Sequence, residues 1–120
     1  MGHRVRDEVR SLTGLNSALA ETVAETLQAL TSPNRLLILW RLSESPCSVS
    51  ELAEAVGMEP SAVSHQLRIL RSLGLVVGVR SGRTVEYSIF DLHVAALLTE
   101  AVYHVEHLRL GARDQGGRAP

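Results

Sequence analysis

Four side chains late in the 120-residue sequence have the types and spacing of a metal site. Asp91 and His93 form a D-x-H pair, His104 and His107 form an H-x-x-H pair, and eleven positions separate His93 from His104. Imidazole nitrogens and a carboxylate oxygen are ligands that divalent transition metals accept. The pattern therefore indicates a histidine-rich site for a divalent transition metal.

The segment that carries these residues has the periodicity of one amphipathic helix, from about residue 91 to about residue 108. At about 100° per residue, one arc of this helix collects its apolar side chains: Val94, Leu97, Leu98, Ala101, Val102, Val105 and Leu108. The three histidines fall in a narrow strip beside this arc, with Glu100 among them. The arc predicts packing against another element, and the strip places the histidines at the edge of that contact.

The axial spacing decides how the four residues can share an ion. His104 and His107 are one turn apart, but His93 and His104 are about 16 Å apart along the helix axis, too far for one ion. Two copies of the helix packed antiparallel would bring Asp91 and His93 of one chain to His104 and His107 of the other. We predict two symmetric metal sites across a homodimer. The alternative is that these are polar interface residues without a metal.

Two helices are predicted in the first 45 residues, and they would help to hold this final helix. Apolar residues recur at helical spacing from about Ser17 to Leu30. Ser32 then suits an N-cap and Pro33 the first helical position. Because the second helix is apolar nearly all round, we expect it to be the core helix.

The middle of the sequence predicts a helix-turn-helix. Ser48 and Glu51 have the spacing of a capping box, and Gly57 suits the end of that short helix. After three residues Pro60 begins another helix, and Gly74 ends it. Two short helices joined by a tight turn that contains glycine are typical of this motif.

A hairpin completes the predicted architecture. The β-branched segments LVVGVR and TVEYSI flank a polar turn that contains Gly82. The fold class is mainly α with a β-hairpin, a winged helix-turn-helix whose extra N- and C-terminal helices form a dimer interface. We expect this DNA-binding and dimerisation domain to span residues 16–109, between a flexible N-terminal arm of residues 1–15 and a disordered tail of residues 110–120.

The charge distribution points to double-stranded DNA. Net charge is −1, yet residues 60–85 contain four arginines and no Asp or Glu. The second helix of a helix-turn-helix enters the major groove, where Gln can pair with adenine and Arg with guanine. The predicted DNA-binding residues are Ser61, Ser64, His65, Gln66, Arg68, Arg71, Arg80 and Arg83. The alternative interpretation is that these residues form an ordinary solvent-exposed helix face that binds no DNA.

Composition excludes other classes. Cys47 is the only cysteine, so an intrachain disulfide is excluded, and this suits a reducing cytoplasm. No apolar run approaches the roughly 18 residues of a membrane span, and the first residues lack the apolar core of a signal peptide. No catalytic nucleophile stands in a recognisable motif and no phosphate-binding loop is present. We expect a cytoplasmic protein that is not an enzyme.

The segments SVSELAEAVGMEPSAVSHQLRILRSLGLV and VVGVRSGRTVEYSI, with the flanking helices, resemble the ArsR/SmtB metal-sensing regulators over about residues 17–109. The resemblance implies a homodimer that binds an operator near a promoter and that an inducer ion releases. Many members carry a C-x-C pair early in the third helix, where this chain has Ser48 and Ser50 beside Cys47. Because soft-metal sites need several thiolates, arsenite, lead or cadmium sensing there is not expected.

The D-x-H and H-x-x-H pairs most closely resemble the nickel- and cobalt-sensing branch of that family. The start, Met1-Gly2-His3, is similar too: removal of Met1 would leave the amine of Gly2 beside His3 as further candidate ligands. The chain departs from that branch after His107, where the relatives carry further histidines. We expect a nickel- or cobalt-responsive repressor, with zinc as the competing metal. The alternatives are a metal-independent or partner-protein-dependent regulator, either repressor or activator, and a metal storage or delivery protein.

Overall fold

The computed structural model describes residues 14–114, and side chains through residue 111. Contacts within the chain divide it after Thr31 into two units, and each unit is described by itself. The first 13 residues of the expected arm, with Gly2 and His3, lie outside the described residues, as do residues 115–120. The domain boundary expected at residue 16 therefore stays a prediction.

The first unit contains helix α1, Ser17–Ala29, where the apolar spacing predicts a helix. Asn16 is its N-cap, and its side-chain oxygen accepts a hydrogen bond from the Leu19 amide at 2.9 Å. This bond satisfies one of the amides that a helix start leaves without a partner. Val23 and Leu27 on the same helix stay exposed, so much of its apolar stripe is open to solvent within one chain.

The second unit has the predicted order of helices and strands, and the winged helix-turn-helix prediction is confirmed. Its elements are α2 (Pro33–Glu44), α3 (Val49–Val56), α4 (Pro60–Ser72), β1 (Val76–Ser81), β2 (Thr84–Ile89) and α5 (Leu92–Asp114). No helix within residues 14–114 is long and apolar enough to cross a membrane.

Local sequence signals set these boundaries as predicted. The Ser32 hydroxyl accepts a hydrogen bond from the Arg35 amide at 3.4 Å at the start of α2. At the start of α3, the Glu51 amide donates to the Ser48 hydroxyl and the Ser48 amide donates to the Glu51 carboxylate, at 3.3 and 2.9 Å. Gly57 ends α3 at φ +71°, a left-handed conformation that other residues adopt only with strain. The capping box is therefore confirmed.

The hairpin is joined to the helix-turn-helix by a short third extended segment. Strands β1 and β2 pair antiparallel along their whole length around Gly82, which has φ +65°. Cys47 forms a β-bridge to Tyr87: the Cys47 amide donates to the Tyr87 carbonyl at 3.0 Å, and the Tyr87 amide donates back at 2.7 Å. These bonds hold β2 against the segment that leads into α3.

The core of the second unit lies between the helix-turn-helix, the hairpin and the first turns of α5. The predicted inward residues Leu52 and Ala53 of α3 are buried, as are Val63, Leu67 and Leu70 of α4. The same core contains Ile38, Leu39, Leu42, Cys47, Leu75, Val76, Val94 and Leu98. No buried polar or charged residue occurs in the part of the chain that the structure describes.

Helix α2, the expected core helix, contributes to the core on one side only, although its sequence is apolar nearly all round. Leu36, Leu37 and Trp40 are 39%, 51% and 40% exposed, although Ile38 and Leu39 are fully buried. The core covers only one side of α2, and the other side faces α5 across an open groove. Hydrophobic composition alone does not tell which side of such a helix its own chain covers.

The final helix is longer than predicted. Helix α5 continues to Asp114, so residues 110–114 are helical, and a disordered tail from residue 110 is wrong for that stretch. Gly111 lies within the helix and does not adopt the positive φ of a helix-ending glycine. Because the next residues include the helix formers Ala112 and Arg113, no strong stop signal follows Leu108.

Candidate functional site

The first donor pair lies at the start of α5. One carboxylate oxygen of Asp91, Oδ1, accepts a hydrogen bond from the Val94 amide at 3.1 Å, as an N-cap residue does. The other oxygen, Oδ2, lies 3.4 Å from Nδ1 of His93, whose side chain is 96% exposed. The Val94 amide, helped by His93, holds the pKa of the Asp91 carboxyl below its ordinary value. Capping thus anchors an anionic carboxylate beside an accessible imidazole.

The second donor pair lies further along the same helix. His104 and His107 are both exposed and one helical turn apart. The His107 ring stacks on Tyr103, with ring centroids 6.4 Å apart and planes at 13°. This contact orients one of the two imidazoles before any ligand arrives.

The four predicted metal ligands do not meet within one chain. Among residues 14–111, no three His, Cys, Asp or Glu side chains come together closely enough to hold a metal ion. The structure instead has two half-sites, Asp91 with His93 and His104 with His107, separated along α5. Their imidazole and carboxylate donors suit Ni²⁺, Co²⁺ and Zn²⁺. The residues therefore fit such an ion where two chains bring complementary half-sites together.

An apolar groove runs between α2 and α5. It encloses about 640 Å³, and its lining residues are Pro33, Leu36, Leu37, Trp40, Leu98, Ala101, Val102, Val105 and Glu106. Val94 and Leu98 of the predicted apolar arc are buried inside the protomer, whereas Val102 and Val105 are 41% and 51% exposed. An uncovered apolar surface of this kind marks a protein interaction site.

Cys47 is a structural residue and has no second thiol nearby. Its side chain is fully buried, and burial raises the pKa of the thiol. Ser48 is occupied as the N-cap of α3 and Ser50 is exposed. The interpretation of Cys47 as a small buried residue, and not as a soft-metal ligand, agrees with this geometry.

The predicted DNA-binding residues lie almost entirely on the surface. Val63, Leu67 and Leu70 hold one face of α4 on the core, which leaves the opposite face toward solvent. The exposed residues are Ser61, Ser64, His65, Arg68, Arg71, Arg80 and Arg83, and Gln66 is half-buried. Arg80 lies near the end of β1 and Arg83 lies in the hairpin turn. A basic helix face and a basic hairpin tip are thus presented without any acidic residue between positions 60 and 85.

Gln66 has a partner that the sequence did not reveal. Its side-chain carbonyl Oε1 accepts a hydrogen bond from Nε of Arg35 in α2 at 2.7 Å. Bidentate pairing with adenine needs that same oxygen as an acceptor for the base. Gln66 therefore joins α4 to α2, and because an amide carbonyl oxygen has two lone pairs, its DNA-binding role stays a prediction.

Tyr87 was not among the predicted site residues. A notch of about 180 Å³ lies between α4 and β2, and its lining residues are Ser64, Leu67, Arg68, Arg71 and Tyr87. Strand alternation puts Tyr87 on one face of the hairpin, but the sequence did not show that α4 packs on that face.

Comparisons with known proteins agree with this geometry. The family profile described as "Bacterial regulatory protein, arsR family" matches residues 32–77. The HTH-type transcriptional regulator NmtR of Mycobacterium tuberculosis is 58% identical over 115 residues, which cover 96% of each chain. The chain belongs to the ArsR family. An ArsR-family relative from Synechocystis, a transcriptional repressor SmtB homolog, is 43% identical over 86% of this chain and 74% of its own length.

Solved structures of ArsR-family relatives share the fold. The solution structure of apo-NmtR has a TM-score of 0.68 and 62% identity over 78% of each chain. A homodimeric winged helix-turn-helix DNA-binding domain from Mycobacterium bovis has a TM-score of 0.71 and 33% identity, over 75% of this chain and 83% of that one. ArsR-family membership confirms the predictions of a DNA-binding transcriptional regulator and of a chain that is not an enzyme.

Proposed function

We propose that this protein is a metal-responsive homodimeric transcriptional repressor, and that Ni²⁺ or Co²⁺ bound between two α5 helices releases it from its operator. The observation that carries the proposal is the pair of exposed half-sites on α5, each incomplete within one chain. In an antiparallel pair of α5 helices, Asp91 and His93 of one chain face His104 and His107 of the other. Two equivalent sites then span the interface.

The apolar groove supports the dimer. Leu36, Leu37 and Trp40 leave apolar surface open on a chain that otherwise has an ordinary buried core. A second copy, contributing apolar residues of its own, would cover that surface beside the histidine strip. The homodimeric M. bovis relative supports the same assembly.

The donor chemistry favours nickel or cobalt. The four residues supply imidazole nitrogens and a carboxylate without a thiolate, and the amine of Gly2 with His3 would raise the ligand number toward six. Zinc accepts the same donors in tetrahedral sites and is the competing metal. When bound, the metal supplies a bridge between two chains. We place the protein in the cytoplasm, where the lone Cys47 stays reduced.

The proposed switch acts on the spacing of two recognition helices. In the metal-free dimer the two α4 helices lie about 34 Å apart, one turn of B-DNA, and enter successive major grooves. A metal ion held by Asp91, His93, His104 and His107 would join the two α5 helices, and a change in their packing would alter that spacing. A coupling free energy of about 1–3 kcal/mol is enough to lower operator affinity several-fold to about a hundredfold.

Operator binding measured by fluorescence anisotropy tests the proposal. The DNA is a promoter fragment from the gene's own neighbourhood, and the protein is metal-free or loaded with nickel, cobalt or zinc. We expect one metal to weaken binding at least about tenfold. A His104→Ala/His107→Ala variant should bind the operator but not respond. The matched control is Glu100→Gln, an exposed α5 side chain outside the proposed ligand set, which should keep the response.

Three other outcomes reject or redirect the proposal. Equal operator binding with and without every metal would mean a metal-independent or partner-dependent regulator. Tighter binding with metal would reverse the sign and make the metal a co-repressor or an activating ligand. Tight metal binding without any operator binding would favour a storage or delivery protein.

A further inference from the structure

We propose that the notch between α4 and β2 binds one phosphate of the DNA backbone, and that Tyr87 is a phosphate-contacting residue. The notch lies on the flank of the recognition helix that faces the hairpin. Its lining residues are Arg68 and Arg71, which carry guanidinium groups, Ser64 and Tyr87, which carry hydroxyl groups, and the apolar Leu67. This proposal rests on DNA binding and does not depend on the metal response.

The chemistry of the notch matches a phosphodiester. Two guanidinium groups supply charge and N–H donors, and two hydroxyls can each donate one hydrogen bond to a phosphate oxygen. No carboxylate lines the notch. Glu86, the neighbour of Tyr87, pairs across the strands with Val79 and projects to the opposite face. The local field is therefore favourable to an anion.

Tyr87 is held in place by its backbone and by its ring contact. Both of its backbone groups hydrogen-bond to Cys47, at 3.0 and 2.7 Å. Its ring lies over Gly78 on β1, because a Cβ built on Gly78 would stand 2.9 Å from Cε1 of Tyr87 and 3.0 Å from Cγ1 of Val85. The Tyr87 ring can occupy this position because Gly78 has no side chain. A hydroxyl on a ring fixed in this way needs little reorganisation to meet a phosphate.

Tyr87→Phe tests the proposal because it removes the hydroxyl alone. We expect metal-free protein to lose about a hundredfold in affinity, because the homodimer loses two hydrogen bonds to charged groups and each is worth about tenfold. The loss should be equal for operator and for unrelated duplex DNA, since a phosphate contact carries no sequence information. Tyr103→Phe, on exposed α5, is the matched control and should bind as wild type. Unchanged binding by Tyr87→Phe overturns the proposal, as does a loss confined to the operator.

Neutral methylphosphonate linkages locate the phosphate. Placed as symmetric pairs, one linkage in each half-site of the operator, they should weaken wild-type binding at several pairs of positions, and at one pair Tyr87→Phe should add no further loss. Additive losses at every pair contradict a direct contact. Arg71→Gln should lower the slope of log affinity against log salt by about 2, since the homodimer loses two phosphate contacts. The control Arg109→Gln, which alters an ion pair on α5, should leave that slope unchanged.

Competition with inorganic phosphate tests whether the notch binds a phosphate of the DNA backbone or a free anion. At constant ionic strength, added phosphate should displace operator no better than chloride does. If phosphate releases wild type from DNA but leaves Tyr87→Phe bound, the notch is a site for a free anion and the backbone assignment is wrong.

Discussion

At the scale of single residues, we predict different roles for the neighbours Gln66 and His65. His65 is exposed on the outer face of α4, whereas half-buried Gln66 accepts the 2.7 Å hydrogen bond from Arg35. The sequence placed both on the DNA-reading face because the start of a recognition helix supplies such contacts. The partner of Gln66 is 31 positions away, and no local pattern indicates it.

Two alanine variants separate these roles. Gln66→Ala should lower the free energy of unfolding by about 1 kcal/mol, because the Arg35 side chain loses a half-buried acceptor. It should change operator affinity less than His65→Ala does. His65→Ala should weaken operator binding and leave stability unchanged. Urea unfolding and anisotropy on the same preparations measure both quantities, and the reverse pattern would return Gln66 to the base-reading set.

At this scale the sequence offered the candidate metal ligands, but it did not offer the notch. Residue type and short spacing within one helix identify the candidate ligands Asp91, His93, His104 and His107. Tyr87 reaches the notch because β2 packs beside α4, so its neighbours Ser64 and Arg71 are at least 16 positions away. Side chains that tertiary contacts bring together are far apart in the sequence, so local spacing does not reveal that they are neighbours.

At the scale of elements, the capping box of α3 links stability to pH. The Ser48 amide first, and its hydroxyl second, hold the pKa of the Glu51 carboxyl below its ordinary value of 4.5. Because the folded pKa is depressed, the ionised carboxylate stabilises the folded state at pH values above 4.5. That stabilisation is lost as pH falls through the folded pKa.

Glu51→Gln keeps the shape and an acceptor oxygen but cannot ionise. Wild type should be the more stable protein at pH 7, and the difference in unfolding free energy should shrink as pH falls from 7 toward 3. Chemical denaturation at a series of pH values measures this difference. A difference that stays constant across the series would show that the charge of Glu51 does not contribute.

Helix boundaries could be predicted where a capping residue or a glycine marks them. Ser32, Ser48 and Gly57 mark helix ends by hydrogen bonding or by a left-handed φ, and the structure confirms all three. The end of α5 was misplaced because no strong stop signal follows Leu108, and Gly111 lies within the helix. The sequence around it allows either outcome, since helix formers stand on both sides.

At the scale of the whole molecule, the proposed sites belong to the dimer, and mixing two variants tests this. Asp91→Ala/His93→Ala and His104→Ala/His107→Ala each lose half of the donors at both interface sites. A mixed dimer has one complete site, because the intact pair of each chain meets the intact pair of the other. Random pairing makes half of the dimers mixed, so about one quarter of the wild-type sites should return.

Equilibrium dialysis after co-refolding of the two variants measures the number of recovered metal sites. The control is the same two proteins refolded separately and combined without exchange of subunits, which should bind no better than either alone. If the co-refolded mixture also gains nothing, the ligands come from one chain or from elsewhere, and the inter-subunit arrangement is wrong.

The proposed dimer accounts for the open side of α2. Apolar composition made α2 the expected core helix, and on the proposed dimer a second chain covers Leu36, Leu37 and Trp40. An apolar side chain indicates burial, but the sequence does not indicate whether the same chain or a second copy buries it.

In the proposed dimer a second copy covers the open groove, so the dimer and not the protomer binds the operator. This has a consequence for gene dosage. Below the dimer dissociation constant, the amount of dimer follows the square of the protomer concentration, so halving synthesis removes about three quarters of the repressor. On the proposed function, such a promoter responds to cell growth and division as well as to the metal ion. Dilution of the protein alone can lower the dimer concentration enough to free the operator.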